Sequence, residues 1–488
     1  MKVRFLAGVF FLSVVASYAV GPKYKKPEVT APASWQAPPP WHQANPTDSI
    51  PKGAWWSLFN DSELNGYEQQ ALANNQTLKA AVSRLAEARS FARIQSSALY
   101  PQLNGGFSAY RQRVSGNRPL LGATNSITPD TENLFQIPFN LNYEVDLFGS
   151  VRRSVEAANA SYQASAADLE NVRLMLTSDL AADFFQLREL DAEMADVRSA
   201  IDFEQDGLKL VENRHNGGAA SGLEVAQQQT VLDSTIAQLA LLQQQRAQFE
   251  HAIAVLQGLP APIFKAPVRA LTAEPPPIPL SLPAELLQRR PDIATAERNV
   301  ASANAQIGVA KAAFFPGILL GGSGGAESRN LTSLLNAPSM FWSIGLSVLE
   351  PIVNGGRNRA TLENARAVYD ENVADYRESA LVAFQQVEDA LSGLNALASA
   401  SGSQQEAVDD ARRSLNLANA RYTGGLVTYL DVITAQEQLL TSERLSEQIL
   451  GQQLVTSVLL VKALGGGWDD SSIAAVGVKP NVKQAFQQ

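Results

Sequence analysis

The sequence predicts a mainly α-helical protein, built as two copies of one plan, whose strands contribute to a transmembrane β-barrel. Three observations lead to this prediction. Residues recur in a fixed register between the two halves of the chain, one long stretch in each half lacks proline, and short segments alternate between apolar and polar residues. The composition agrees, because only 18% of the 488 residues are charged and only 7% are aromatic, as expected of long helices that pack through small side chains.

Several classes of function are disfavoured by composition. The net charge of -9 argues against nucleic-acid binding, which needs a basic surface to neutralise phosphates. The chain has no cysteine, which excludes disulfides, thiolate nucleophiles and Cys-ligated metals. Residues 321–325 formally match the G-x-S-x-G motif of hydrolases, but they lie in a predicted strand without a histidine base. We therefore expect no enzyme, no cofactor and no metal site.

The N-terminus has the pattern of an export signal. Lys2 and Arg4 form a positive segment, and the apolar run 5–16 is shorter than the ~20 residues that a membrane-spanning helix needs. Small residues at Ser17 and Ala19 favour cleavage after Ala19. Residues 1–19 are therefore predicted to be a signal peptide.

The two halves of the chain are related by a shift of 207 residues. Under this shift Arg214, Gly217 and Gly218 fall on Arg421, Gly424 and Gly425. The same shift pairs Gly149, Tyr162, Leu223 and Gln229 with Gly356, Tyr369, Leu430 and Gln436. Because arginine, glycine and tyrosine rarely hold one register by chance, the sequence indicates an internal duplication.

The duplication predicts the domain organisation. It gives an extended Pro-rich arm at 20–54, a first repeat at 55–258, a Pro-rich linker at 259–291, a second repeat at 292–468 and a flexible tail at 469–488. Each repeat is predicted as a helix, two strands and two long helices, the long helices spanning 149–215 and 223–257, then 357–422 and 430–464. A helix of ~60 residues is roughly 90 Å long, which suits a coiled coil or a tube. Arg246 falls in the apolar seam of the second of these helices, where we expect it to extend toward water.

The predicted strands alternate in polarity. They span about 103–114 and 135–145 in the first repeat, and about 317–326 and 340–349 in the second. The positions predicted to face lipid are Phe139, Leu141, Tyr143, Trp342, Ile344 and Leu346. Two isolated hairpins per chain would leave open edges, which lipid does not tolerate, whereas three chains would supply twelve strands for one closed barrel. A soluble sandwich with one wet face is the alternative.

The turns between the long helices carry candidate functional acids. Glu224 and Asp431 are equivalent under the shift, and each follows a pair of glycines. In a closed oligomer they would form a ring of carboxylates, which can select cations or gate a pore. The alternative is that they are ordinary acids at helix starts, where the helix dipole favours negative charge.

Several motifs resemble those of the TolC-like outer-membrane efflux proteins, and more closely the NodT subgroup that serves resistance-nodulation-division (RND) pumps. They are Trp55-Trp56 with Phe59 and Asp61, Arg289-Arg290-Pro291-Asp292-Ile293, Ala313-Phe314-Phe315-Pro316 and Tyr429-Leu430-Asp431-Val432. The match runs in order from about residue 20 to 468.

The resemblance implies a homotrimer in the Gram-negative outer membrane, with one 12-stranded β-barrel and a 12-helix α-barrel that forms a tunnel in the periplasm. It implies that the tunnel tip docks a periplasmic adaptor (a membrane fusion protein), which couples it to an inner-membrane RND-type transporter. Drugs, toxic compounds or other small solutes would then pass through the duct passively.

Two departures from the family pattern stand out. Tyr18 occupies the position where this subgroup usually has an acylated cysteine, so we expect no lipidation and a mature start near Val20. Thr434 stands where an aspartate often helps to close the tip, and its first-half equivalent is Gln227. The acidic ring would then rest on Glu224, Asp431 and Glu437.

Two alternatives to an efflux duct remain at this point. The same fold serves as the outer duct of type I protein-secretion systems. A soluble periplasmic coiled-coil scaffold is the alternative of a different class, and it would tolerate charge on the alternating strands.

Overall fold

The computed structural model describes residues 19–36, 53–113, 115, 131–278, 280, 283–470 and 476–477. Tyr18 and the rest of the predicted signal peptide before Ala19 lie outside the described residues, as do most of the predicted tail and part of the arm. Within the described tail, the Val476 carbonyl accepts a hydrogen bond of 2.8 Å from Gln163 Nε2.

The first repeat contains four helices and three strand segments. They are α1 (Ser62–Asn74), α2 (Gln76–Ser97), β1 (Gln102–Gly105), β2 (Ser108–Arg113), β3 (Thr131–Glu144), α3 (Ser150–Asn216) and α4 (Gly222–Leu256). Side chains cap the N-termini of the first two helices. The Asp61 carboxylate accepts from the Leu64 N–H at 3.1 Å, and the Asn75 side chain accepts from the Leu78 N–H at 2.9 Å.

The second repeat follows the same order. It contains α5 (Pro283–Arg289), α6 (Pro291–Ala312), β4 (Gly317–Ser328), β5 (Met340–Leu349), α7 (Arg357–Thr423) and α8 (Tyr429–Ala463). Helix α5 falls inside the range that the sequence predicted as a Pro-rich linker.

The duplication is visible in the helix lengths. Helices α3 and α7 both have 67 residues, and α4 and α8 both have 35 residues. Both 67-residue helices follow a glycine with positive φ, 85° at Gly149 and 84° at Gly356, a conformation that other residues adopt only with strain. Each half therefore contributes one antiparallel helical hairpin, α3–α4 or α7–α8. Within the described residues, no helix has the length and apolar character that crossing a membrane requires.

All strands form one antiparallel sheet with the order β1, β3, β4, β5, and β2 extends the β1 edge by pairing with β3 as well. Strand β3 pairs with β4 from Phe135 opposite Ser328 to Glu144 opposite Leu319. The expectation of two isolated hairpins was therefore wrong, because β3 and β4 join them. The physical reason is local: Gly322 and Gly324 lie opposite Leu141 and Phe139, so small residues leave room for large ones. The β1–β2 and β5 edges stay open.

The main core lies where α1 and the linker meet the middle of the long helices. Phe59 packs on Phe185 with ring centroids 4.8 Å apart, and Phe184 lies edge-on to Phe185. Trp55 is 2% exposed, and its indole N–H donates to the Thr177 hydroxyl at 3.1 Å. The second repeat adds Tyr376, Val387, Leu454, Val458 and Leu460 to this cluster.

A buried network of charges fastens the linker to the first repeat. Asp191 on α3 accepts hydrogen bonds from Arg188 at 2.7 Å and from Arg246 at 2.6 Å. Both guanidiniums also donate to linker carbonyls, Arg188 to Pro267 at 2.6 Å and Arg246 to Ala266 at 2.9 Å. The prediction that Arg246 extends toward water was therefore wrong, because the linker folds over it and Asp191 supplies its counter-charge.

Candidate functional site at the tips of the helical hairpins

Both hairpins turn in the same way, which follows from the paired glycines. Gly218 has φ 77° and Gly425 has φ 73°, so each helix ends in a left-handed glycine. The next N–H donates back to a carbonyl of the last turn, Ala219 to Arg214 at 2.7 Å and Leu426 to Arg421 at 2.9 Å. The residues before them, Gly217 and Gly424, keep helical dihedral angles.

The predicted acids lie in the first turns of the second helices. Ser221 and Glu224 form a capping box at the start of α4, in which the Ser221 N–H donates to the Glu224 carboxylate at 3.1 Å. Asp431 is exposed and accepts from the Thr428 hydroxyl at 2.9 Å. Within one chain both carboxylates therefore lie where the helix dipole favours negative charge.

The other predicted tip residues differ in their surroundings. Thr434 is exposed and its hydroxyl donates to the Leu430 carbonyl at 2.9 Å. Gln227 is half-buried, and Glu437 is exposed on α8. Glu437 lies close enough to Glu204 on α3 to raise the pKa of that carboxyl, together with burial, which is the larger cause.

An aromatic chain that sequence reasoning missed joins the two tips. The Arg214 guanidinium lies 4.6 Å from the centre of the Tyr422 ring, and Tyr422 packs edge-on against Tyr429 at 4.9 Å. Tyr429 is 2% exposed, and burial raises its pKa to about 12, so the phenol stays neutral. Aligning the two repeats could have revealed these tyrosines, because they occur in the second repeat only. Their equivalents in the first repeat are His215 and Gly222.

A glycine on α3 receives the Tyr429 hydroxyl. A Cβ placed on Gly207 would lie 2.1 Å from the Tyr429 Oη, far inside contact distance. Next to this contact, the Gln228 side-chain amide donates to the Glu204 carbonyl at 2.8 Å, and the Gln436 amide donates to the Ala200 carbonyl at 3.3 Å. The tips of the two hairpins are therefore held by specific buried contacts.

Replacing Gly207 by alanine is expected to loosen the tips, because the new methyl group displaces the Tyr429 ring. Loss of an aromatic contact worth about 1 kcal/mol should raise the population of separated tips roughly fivefold. Trypsin cleavage after Arg214, timed on the folded protein, reports that population. Gly402→Ala is the control, since a Cβ there meets open space and the helix should gain stability. Equal cleavage rates in the two variants would contradict this role for Gly207.

At the other end of the long helices, the sheet separates apolar from polar residues. Directly paired residues share a face, and the register forms three rows across β3, β4 and β5. The rows are Phe139–Gly324–Trp342, Leu141–Gly322–Ile344 and Tyr143–Leu320–Leu346. All six residues predicted to face lipid therefore lie on one face, where Trp342 is 81% exposed and Ile344 is 68% exposed.

The opposite face of the sheet is polar. Its central row is Asn140–Ser323–Ser343, and the two serine hydroxyl oxygens lie 2.7 Å apart. Gln136 donates to the Glu327 carboxylate at 2.8 Å on the same face. A sheet with one apolar and one polar face fits a wall between lipid and a water-filled lumen.

Comparison with known proteins agrees with this geometry. The model of the family described as "Outer membrane efflux protein" matches residues 68–259 and again residues 282–466, one match in each repeat. The pyoverdine export outer membrane protein OpmQ of Pseudomonas aeruginosa is 34% identical over 441 residues, which cover 90% of this chain and 92% of that protein. The toluene efflux pump outer membrane protein TtgI of Pseudomonas putida is 33% identical over 473 residues, covering 95% of this chain and 98% of that protein.

Solved structures show the same architecture. The outer-membrane channel OprN superposes with a TM-score of 0.85 at 28% identity, over 92% of this chain and 99% of that chain. The family consists of efflux channels rather than enzymes. The chain belongs to the outer membrane efflux protein family, and it is the outer-membrane exit duct of a tripartite efflux pump.

Proposed function

We propose that three copies of the chain close one 12-stranded β-barrel and one 12-helix α-barrel. The observation that carries this proposal is a set of contacts between the repeats. Inside the chain, α3 of the first repeat packs against α6 and α8 of the second, and β3 pairs with β4. Under the repeat equivalence, the matching contacts are α7 with α2, α7 with α4, and β5 with the β1–β2 edge. Within the described part of one chain, α7 makes no comparable contact with α2 or α4, and β5 does not pair with β1 or β2.

The surfaces that await these contacts are apolar. On α2, Phe91 is 51% and Ile94 is 64% exposed, and on α7, Leu381 is 57% exposed. Nearly every residue of β5 is exposed along its open edge. A neighbouring copy that repeats the half-to-half contacts would cover these surfaces and leave no open edge in lipid. Closure by three copies gives an even number of strands within the range of known barrels.

The position of the tips and the efflux-pump relatives support a proposal about the partners. The tips, with Arg214, Gly217, Gly218, Arg421, Gly424 and Gly425 in their turns, lie at the end of the helices away from the sheet. We place them in the periplasm, where they meet an adaptor that links the duct to an inner-membrane RND-type transporter. In the trimer, Glu224, Gln227, Asp431, Thr434 and Glu437 would each repeat three times around the axis and line the gate.

The lumen side explains why the duct itself is passive. The polar face of the sheet presents mainly serine, asparagine and glutamine, with Glu144 near one end of β3 and Glu327 near the other. Such a surface wets the pore and selects little, so the choice of solute belongs to the transporter. The efflux and export functions of the relatives favour this role over the outer duct of a type I secretion system.

The assembly is tested by the molar mass of protein extracted from isolated outer membranes, measured by light scattering with correction for detergent. We expect three times the mass of the mature chain, and we expect the same sample to conduct ions across a planar bilayer. A monomer, or protein found only in the soluble periplasmic fraction, would overturn the proposal.

We also propose that the mature chain begins near Val20 without an acyl group. The Val20 N–H donates to the Phe148 carbonyl at 2.9 Å, and Arg153 Nε donates to the Val20 carbonyl at 3.4 Å, so the segment is held beside the base of the sheet. Tyr18 offers no thiol for a thioether. Intact-mass spectrometry should give the unmodified mass, and a mass increased by a lipid would refute this prediction.

A further inference from the structure

The contact between α3 and α8 is lined by carboxyl groups from both helices. We define the acidic seam as Glu189, Glu193, Asp196 and Glu204 on α3 with Glu437, Glu443 and Glu447 on α8. The described cations that pair with it are Arg444 of α8, 2.8 Å from Glu193, and Arg412 of α7, 2.7 Å from Glu443. Two guanidiniums therefore face seven carboxyl groups, which cannot all be ionised at low cost.

Glu189 and Glu193 lie one helical turn apart on α3. Burial, followed by the nearby carboxyls of Glu193 and Glu447, raises the pKa of Glu189. Glu193 accepts from Arg444 at 2.9 Å and from Gln448 at 3.1 Å, whereas no donor to the Glu189 carboxyl is found among the described residues, so we assign the proton to Glu189. Glu189 lies against the α8 backbone at Gly451, where an added Cβ would be 2.4 Å from its Oε2.

Glu204 supplies an independent observation nearer the tips. It is 1% exposed, and its Oε1 accepts from the Thr235 hydroxyl at 3.1 Å, but its buried Oε2 has no hydrogen-bond partner. The Gln228 Oε1 next to it is also buried without a partner. Glu437 faces Glu204 from α8, and the neutral Tyr429 phenol also lies near it, but among the described residues no donor is within hydrogen-bond distance of Glu204 Oε2. A proton on Oε2 supplies the missing donor.

Asp196 repeats the pattern midway along the seam. Its Oδ2 is buried without a partner, and Glu443, Glu447 and Glu193 face it, while Arg412 offsets part of that charge. Burial and these like charges raise the pKa of Asp196 to about 6. Burial and nearby carboxyls likewise raise the pKa of Glu204 to about 7 and of Glu189 to about 8. Burial is the larger cause in each case.

The equivalent interface in the duplicated plan has none of these groups. Subtracting or adding 207 converts the seven carboxyl residues of the seam into Ala396, Ala400, Ser403, Ala411, Thr230, Ile236 and Ala240. In the proposed trimer these residues belong to the α7–α4 contact between neighbouring copies. Carboxyl-rich and neutral contacts would therefore alternate around the tunnel.

We propose that the acidic seam is a proton-binding site, and that loss of its protons separates the two hairpins of one chain while the neutral contacts between chains persist. Glu189, Asp196 and Glu204 hold the protons when α3 and α8 are in contact. Once ionised, they repel Glu437, Glu443 and Glu447 across the interface. Separation at the tips would widen the entrance of the duct.

The sign of the effect follows from linkage. The packed state binds protons more tightly than the separated state, in which these carboxyls return to their ordinary pKa values. The contact is therefore strongest below about pH 4.5 and weakens as the pH rises through the raised pKa values of about 6 to 8. The ratio of packed to separated hairpins should fall by at least about tenfold between pH 5 and pH 9.

The test measures the distance between the two tips. Because the chain has no cysteine, Ala219→Cys and Leu426→Cys place nitroxide labels only on the two exposed turns. Trimers assembled with excess unlabelled chain contain at most one labelled copy, so pulsed electron paramagnetic resonance reports the distance within a chain. We expect a longer distance at pH 9 than at pH 5. The triple variant Glu189→Gln, Asp196→Asn, Glu204→Gln should keep the short distance at both values.

A matched variant controls for net charge. Asp202→Asn, Asp206→Asn and Glu212→Gln remove three exposed carboxylates from the same helix and should leave the pH response unchanged. If the triple seam variant fails to assemble, Glu204→Gln alone should move the midpoint to higher pH. A distance that is independent of pH in the unmodified chain, a seam variant that keeps the full response, or a control that loses it would each overturn the proposal. Conduction and trimer mass are measured on the same samples, so a conducting trimer without the pH response refutes the seam alone.

Discussion

Arginine in place of Ile344 is expected to keep the protein out of the outer membrane. Ile344 is 68% exposed at the middle of β5 and lies in the apolar row with Leu141. A lipid-facing arginine at the middle of a barrel strand costs about 2–4 kcal/mol, and a trimer would carry three of them. The amount of trimer in isolated outer membranes, compared with the unmodified chain, measures the effect.

The neighbouring residue provides the control. Ser343 lies on the opposite face of the same strand, where its hydroxyl contacts that of Ser323 at 2.7 Å. Ser343→Arg adds the same charge to the water-filled side, so we expect it to assemble normally. If Ile344→Arg and Ser343→Arg assembled equally well, the apolar face would not contact lipid, and a soluble sheet would be the better description.

Replacing Asp191 by alanine is expected to destabilise the folded chain by about 3 kcal/mol, because it removes the carboxylate that two buried guanidiniums share. Arg188 keeps Glu63 at 2.6 Å and Arg246 keeps Glu250 at 3.5 Å, which limits the loss. The Asp191 side chain is fully buried and pairs with Arg188 at 2.7 Å and Arg246 at 2.6 Å. Chemical unfolding followed by the loss of helical circular dichroism gives the free-energy difference. The local loss of stability should be largest in the linker around residues 266–267, since both arginines also donate to carbonyls there.

The exposed Asp202 on the same helix serves as the comparison, and Asp202→Ala should change stability by less than about 0.5 kcal/mol. If Asp191→Ala lowered the free energy of unfolding no more than Asp202→Ala does, the buried charge network would contribute little to stability. A double-mutant cycle of Asp191 with Arg246 then separates their coupling from the cost of an unpaired charge.

The long helices illustrate what local sequence can predict. The absence of proline and the paired glycines place their ends, and the structure has α3 at Ser150–Asn216 and α7 at Arg357–Thr423, against 149–215 and 357–422 from the sequence. Alternation of polarity likewise assigned six residues to one face of the sheet, and the register places all six there. Both features depend on neighbours in the chain, so their signal lies in short windows of sequence.

The fate of individual polar residues was harder to predict. Arg246 looked like an exception in an apolar seam, but its surroundings are set by Asp191, which lies 55 residues earlier, and by a linker 20 residues later. The Tyr429 hydroxyl occupies the space that a side chain at Gly207 would fill, and neither segment predicts this contact by itself. Such contacts join distant segments, and a single sequence carries no direct record of them.

Four features can be read from the residues alone: the duplicated plan, the lengths of the helical hairpins, the polarity of the strands and the membership of an outer-membrane efflux family. These follow from periodicity, from glycine and proline positions and from motifs that need no partner. Three features became evident only in the folded chain: β3 pairs with β4, Asp191 binds two arginines, and carboxyl groups line the α3–α8 contact while the equivalent positions are neutral. The physical reason is that burial and charge pairing depend on which surfaces meet in space, and those surfaces come from opposite repeats.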